Sequence, residues 1–228
     1  MITLSFYKAP NPMKVALFLE ESGLDYTVEP VDLLRGEQHA EKFHRLNPNE
    51  KTPVIVEADG TTVFDSNAIL LYLSEKHGMF GGAPENRAEL LSWLMFVATG
   101  VGPYSGQCVH FTHMHTDSPY ATNRYRREVQ RHYAILEERL AEGRSYLVGE
   151  AYSIVDMAAW GWLERAPFVL NDAAALDAYP RLAAWFRRID ARPAAQRATA
   201  LKTQFDFKTG YDEEARRAMF PQNIDPAG

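Results

Sequence analysis

Cysteine is almost missing from this chain: Cys108 is the only one in 228 residues. That excludes an intramolecular disulfide framework and any zinc site built on paired cysteines. Long apolar runs are missing too, and none approaches the roughly 18 residues that a membrane-spanning helix needs. The opening stretch MITLSFYKAPNP has no basic start leading into a long apolar core, so it does not read as a secretory signal. Positive charge is not in excess. The formal net charge is −6, which argues against a nucleic-acid binder, since such proteins carry a basic face. No internal repeat is evident. Together these absences lead us to expect a protein of the reducing cytoplasm, with no membrane or nucleic-acid partner.

What is present is ample core material: 46% hydrophobic and 12% aromatic residues. The length suits two compact domains. ITLSFY, residues 2–7, is rich in β-branched and aromatic residues and reads as a strand. Asn11 is a good N-cap and Pro12 suits a first helical position, so a helix is expected over about 12–22 with Gly23 closing it. DYTVEPVDL reads as a second strand, EQHAEKFHRLNP as a short helix, and PVIVEADGTTVFD as two strands around a turn at Asp59-Gly60. SNAILLYLSEKHG then reads as a helix between Ser66 as N-cap and Gly78 as C-cap. The order is β-α-β-α-β-β-α within about 78 residues, followed by a Gly-rich linker, GMFGGAPENR, and then by long amphipathic helices to about Arg197. One of these, in ALDAYPRLAAWFRRIDARPAA, is expected to start near Pro180 and to stop at Pro193. The fold class is therefore α/β plus all-α, with domains over residues 1–80 and 87–228. After about residue 205 the chain offers a helical patch and a polar tail.

EKTPVIVEADGTTVFDSNAILLYLSEKHG, with this element order, resembles the thioredoxin-like domain of the glutathione S-transferase family. LVGEAYSIVDMAAWGWL looks like that family's helical-domain signature. APNPMKVALFLEE, NPNEKTPVI, DSNAILLYL, GPYSGQ and SIVDMAAW follow one another in an order similar to its bacterial nu class. The resemblance reaches to about residue 205. It implies glutathione as cosubstrate, no metal, a homodimer, and a small-molecule disulfide or electrophile as second substrate. Nu-class relatives characteristically reduce disulfides, which makes glutathione-dependent disulfide reduction the leading expectation. Conjugation of glutathione to electrophiles and a non-catalytic glutathione-binding module are the alternatives.

A tripeptide thiol asks three things of a protein: a partner for its backbone, donors for its two carboxylates, and help in ionising its sulfur. For the backbone, the resemblance implies a cis bond at Thr52-Pro53. For the γ-glutamyl end, Ser66 at a helix start offers free N–H groups and Asp65 can meet the ammonium. By family position, Lys51 and Gln38 are candidates for the glycyl carboxylate and Arg131 for a further carboxylate contact. For the sulfur, the class typically has Thr-Pro-Asn with the asparagine amide facing it. Here the motif reads Ala9-Pro10-Asn11, so the threonine hydroxyl is gone and Asn11 is the candidate catalytic residue. Tyr7 is the backup hydroxyl, or simply a strand aromatic. Bringing a thiol from about 8.5 to about 7 takes ~2 kcal/mol. A helix N-terminus contributes roughly 0.3–1 kcal/mol, up to ~2 when partly buried, and a hydrogen bond to a charged group about 1.5–3 kcal/mol, so no protein nucleophile is required.

Three other features have quieter readings. Ser153 and Asp156 form a capping box, with Tyr152 and Met157 at its staple positions. Cys108 reads as a small buried hydrophobe. His110, His113 and His115 read as a solvated or cleft-lining segment, close to the Gly102–Gln107 stretch expected on the helical side of the cleft.

Overall fold

The computed structural model describes residues 1–141 and 143–223; the last five residues of the expected polar tail lie outside them. The expected element order is found. β1 (Ile2–Phe6), α1 (Pro10–Ser22) and β2 (Tyr26–Pro30) form a β-α-β unit. Two 3₁₀ turns, α2 (Glu41–Leu46), β3 (Val54–Val56), β4 (Thr62–Phe64) and α3 (Ser66–His77) follow. The sheet order is β2-β1-β3-β4. β1 runs parallel to β2, with Leu4 beside Val28, and antiparallel to β3, with Leu4 beside Ile55. β4 closes the sheet as an antiparallel hairpin with β3. At its turn Gly60 takes φ 89°, and Asp59 Oδ1 accepts from Thr61 N–H at 2.9 Å.

The remaining elements are helical: α4 (Arg87–Phe96), α5 (Gly102–His113), α6 (Pro119–Leu140), α7 (Ile154–Leu163), α8 (Ala166–Leu170), α9 (Pro180–Asp190), α10 (Pro193–Ala200) and α11 (Glu213–Met219). A π-turn over Val97–Val101 joins α4 to α5. Pro193, expected to end a helix, in fact opens α10, the usual place for a residue without an N–H.

α1 is the hinge of the architecture. It is buried continuously from Pro12 to Leu19, because α3 packs against it within the N-terminal unit while α7 and α10 pack against it from the helical part. A helix enclosed in this way carries apolar residues nearly all round. Ion pairs seal its C-terminal end: Arg192 grips Glu21, and Arg197 Nε meets Glu20 at 2.6 Å. Gly23 and Gly78 both take positive φ as C-caps, as expected.

The capping box of α7 is formed. Asp156 is fully buried and accepts four hydrogen bonds: from Leu147 N–H, Ser153 N–H, Ser153 Oγ and Trp185 Nε1, at 2.9–3.1 Å. Burial lifts its carboxyl to about 6, with those four bonds pulling the other way. Tyr152 packs edge-on against Phe80, which ties α7 to the linker after α3.

Candidate active site

The chain leaves β1 at Phe6, turns through Tyr7, Lys8 and Ala9, and starts α1 at Pro10. Asn11 is therefore not the N-cap. That position belongs to Ala9, which is extended (φ −112°, ψ 160°) and offers no side-chain cap. The physical reason is the second proline. Pro10 fits the first helical position as well as Pro12 does, and two residues without an N–H in the first turn leave little to cap. Met13 N–H reaches Ala9 C=O, so the donors left at this helix end are Asn11 N–H and the Asn11 amide. The backbone thus offers a single free N–H at this helix start.

The Asn11 amide is oriented by the helical part of the molecule. Trp162 Nε1 of α7 donates to Asn11 Oδ1 at 3.2 Å. An indole N–H can only donate, so it fixes which face of the amide is oxygen and turns the NH₂ group the other way. Trp162 itself is buried, and α5 makes room for it with glycines. A Cβ on Gly102 would lie 3.0 Å from Trp162 Nε1, and one on Gly106 3.7 Å from its ring. Four residues apart, these glycines share a helix face. This explains the spacing in GPYSGQ.

A second helix start faces the same region. Asp65, not Ser66, caps α3, so the helix starts at Ser66, one position earlier than the sequence suggested. Asp65 takes φ 70°, a left-handed conformation that strains a non-glycine residue. Its Oδ1 accepts from Asn67 and Ala68 N–H, and Ile69 N–H reaches Asp65 C=O, which leaves Ser66 N–H uncommitted. Lys14 Nζ donates to Ser66 Oγ at 3.2 Å from within the protein. The Thr52-Pro53 bond is cis, and Thr52 is buried at the start of β3.

The other candidates divide. Gln38 is buried, and its Nε2 donates to Ala218 C=O at 3.3 Å. Lys51 is exposed, with its ammonium 5.9 Å from the centre of the Phe220 ring. Both thus border the C-terminal segment. Arg131 is not brought to this region. It lies on α6, half exposed, and pairs with Glu128 at 3.0 Å.

Between the two parts of the chain lies a cavity of about 280 Å³. The turn from β1 into α1 contributes Tyr7 to Pro10; α5, α7 and α8 form the opposite wall; Tyr211, Met219 and Phe220 complete it from the C-terminal segment. That segment is the part the sequence reading missed. Phe207 packs edge-on against Tyr7 at 5.0 Å, Lys208 N–H donates to Asp32 Oδ2 at 2.7 Å, and Arg35 Nη1 donates to Asp206 C=O at 2.9 Å. The signal was there in the aromatic residues 205, 207, 211 and 220 within an otherwise polar stretch.

Burial, reinforced by Tyr211 and Asp32, pushes the Tyr7 hydroxyl far above its usual range, so it stays protonated and can only be a neutral partner. Arg165, stacked 4.5 Å from the centre of Phe168, and Lys8 both line the cavity with no carboxylate partner among the described residues. Cys108 is fully buried, donates to Val169 C=O at 3.2 Å, and is raised in pKa by that burial; it is not at the cavity. His110 lines the wall, while His113 stacks on Phe168 and bonds to its carbonyl. Among the described residues no cluster of His, Cys, Asp and Glu is placed to hold a metal.

Comparison with known proteins matches residues 9–76 to the N-terminal domain of glutathione S-transferase and residues 119–188 to its C-terminal domain. The chain is 44% identical over 212 residues to the disulfide-bond oxidoreductase YfcG of Escherichia coli, spanning 90% of this chain and 96% of that one. Among solved structures it is similar to a glutathione transferase from Burkholderia graminis with two glutathione molecules bound per subunit. That likeness has a TM-score of 0.81 and 32% identity, covering 90% of this chain and 89% of the other. It is also similar to a Pseudomonas putida glutathione transferase with one glutathione disulfide bound per subunit, with a TM-score of 0.80 and 31% identity, covering 90% and 92%. With both domains matched, and in the order the fold displays them, the chain belongs to the glutathione S-transferase family.

Proposed function

We propose that this protein is a glutathione-dependent disulfide-bond reductase of the nu class, in which the nucleophile is the thiolate of bound glutathione. The observation that carries the reading is the Trp162–Asn11 hydrogen bond. It commits the amide oxygen and frees the amide N–H at a helix start that holds no serine, threonine or cysteine side chain. In this reading Thr52 and Pro53 meet the glutathione backbone, Asp65 and Ser66 its γ-glutamyl end, and Lys51 and Gln38 border its glycyl end.

The thiolate attacks one sulfur of a small-molecule disulfide. The S–S bond breaks, a glutathione mixed disulfide forms, and the departing thiolate takes up a proton. A second glutathione thiolate then attacks the mixed disulfide and yields glutathione disulfide and the second thiol. Lys8 and Arg165 supply positive charge to the cavity in which the leaving thiolate develops. The name of the 44%-identical relative and the glutathione disulfide held by a structural neighbour support this chemistry. We further propose a cytoplasmic homodimer. Arg131 has no part in this reading within one chain, where it pairs with Glu128.

The test is steady-state reduction of hydroxyethyl disulfide by glutathione, read through NADPH consumption by glutathione reductase. Turnover well above the uncatalysed exchange is expected. Intact glutathione binding with no turnover would overturn the assignment.

A further inference from the structure

Lys14 is the only lysine or arginine among the described residues that is fully buried, at 1% exposure. Its stem is wedged between helices: a Cβ on Gly161 of α7 would lie 2.7 Å from Lys14 Cγ. Its ammonium, with three hydrogens to give, meets Ser66 Oγ and no other hydrogen-bond partner among the described residues. Asp65, at the cap of α3, is the charged group that acts on it, and α7 sets Gly161 against its stem. An unpaired charge at such a depth is strongly disfavoured unless something completes it. Burial holds the Lys14 pKa down at about 7, with Asp65 pulling it up.

We propose that Lys14 is the buried counter-charge for the γ-glutamyl carboxylate of glutathione, acting through Ser66, and that binding draws a proton onto it. The inference rests on the glutathione reading given above. It makes Lys14 a positioning residue. When charged, Lys14 can only donate to Ser66 Oγ, so the serine hydrogen turns outward to the carboxylate beside the open Ser66 N–H. When neutral, Lys14 has a lone pair that can take the serine hydrogen inward, and the carboxylate loses a donor. A bound carboxylate in turn favours the charged form of Lys14.

The experiment is titration calorimetry of the full chain with S-methylglutathione, which keeps both carboxylates and has no thiol to ionise. Pairs of buffers with different ionisation enthalpies count the protons exchanged. Because the unliganded group titrates near neutrality, proton uptake should approach roughly nine-tenths at pH 8 and fall to about one-tenth at pH 6. The dissociation constant should weaken by up to about 25-fold from pH 6.5 to 8.5, as the competent charged fraction falls. Lys14→Met should abolish both the uptake and this pH dependence.

Binding without proton uptake between pH 7 and 8.5, or uptake unchanged in Lys14→Met, overturns the proposal and leaves the glutathione reading intact. No binding at any pH overturns both. The wild-type proton count stands by itself if the variant does not fold.

Discussion

Trp162→Phe isolates the orientation of Asn11 from its presence. In the native protein the indole N–H gives Asn11 Oδ1 its hydrogen bond at 3.2 Å. Phenylalanine keeps an aromatic body beside Gly102 and Gly106 but has nothing to donate. The Asn11 amide then becomes free to turn, and a thiolate must order it on binding, at roughly 0.5–1.5 kcal/mol for one side chain. That corresponds to about a 2- to 10-fold loss in kcat/KM for disulfide reduction at a pH below the thiol pKa. Asn11→Ala removes the charge-assisted bond altogether, worth about 1.5–3 kcal/mol, or roughly 10- to 150-fold. The decisive reading is the double variant. If Trp162 acts by orienting Asn11, adding Trp162→Phe to Asn11→Ala changes little, and the cycle shows a coupling about equal to the single Trp162 effect. The thiolate absorbance of bound glutathione, followed against pH, should shift upward in the same order. A Trp162→Phe loss that persists undiminished in the Asn11→Ala background would refute the reasoning and leave Trp162 as packing alone.

Tyr7→Phe should cost disulfide reduction less than Asn11→Ala does, since burial keeps the Tyr7 hydroxyl neutral; a larger loss, measured on both a disulfide and an electrophile, would favour conjugation as the chemistry. Asp156→Ala strips the partner from two backbone N–H groups, an indole and a serine hydroxyl. It should lower stability by about 3–5 kcal/mol, or roughly 10 °C in Tm, in a thermal melt. Deleting the chain after residue 208 removes Tyr211, Met219 and Phe220 from the cavity wall. KM for the disulfide should rise severalfold while KM for glutathione changes less, and the reverse pattern would place the segment at the glutathione side.

The order of strands and helices was legible because each rests on local pattern and punctuation: β-branched runs, Gly23 and Gly78 as C-caps, and Ser153 and Asp156 spaced as a box. The helix starts were legible only to within a residue or two. Pro10 and Pro12 obey the same rule, and so do Asp65 and Ser66, so backbone geometry had to choose: Ala9 extended, Asp65 at φ 70°. The cis bond at Thr52-Pro53 came from family resemblance, since nothing in the local sequence distinguishes it from an ordinary strand start. What stayed hidden depends on distant partners. Nothing local to Gln38 signals burial until α11 packs over it, and nothing local to Lys14 does so until α7 encloses α1. The Trp162–Asn11 bond joins residues 151 positions apart.

Those long-range contacts bear on how a site without its own nucleophile can run disulfide exchange. Pro10 and Pro12 remove the N–H groups that would otherwise compete at the helix start, which concentrates the available donors on one residue. With alanine at position 9 there is no side-chain hydroxyl beside Asn11, so in the proposed mechanism Asn11 carries the sulfur contact alone, held by the hydrogen bond from Trp162. The chain's single cysteine is buried away from the cavity, raised in pKa and hydrogen-bonded to a carbonyl. A mixed disulfide on the protein is therefore disfavoured, because the thiol is both inaccessible and poorly ionised. Both reacting sulfurs must belong to ligands, and the cavity has to stabilise negative charge on an incoming and an outgoing thiolate in turn. In the proposed mechanism Lys8 and Arg165, which line the cavity without carboxylate partners among the described residues, would meet that second demand, which a conjugating enzyme acting on a neutral electrophile need not share.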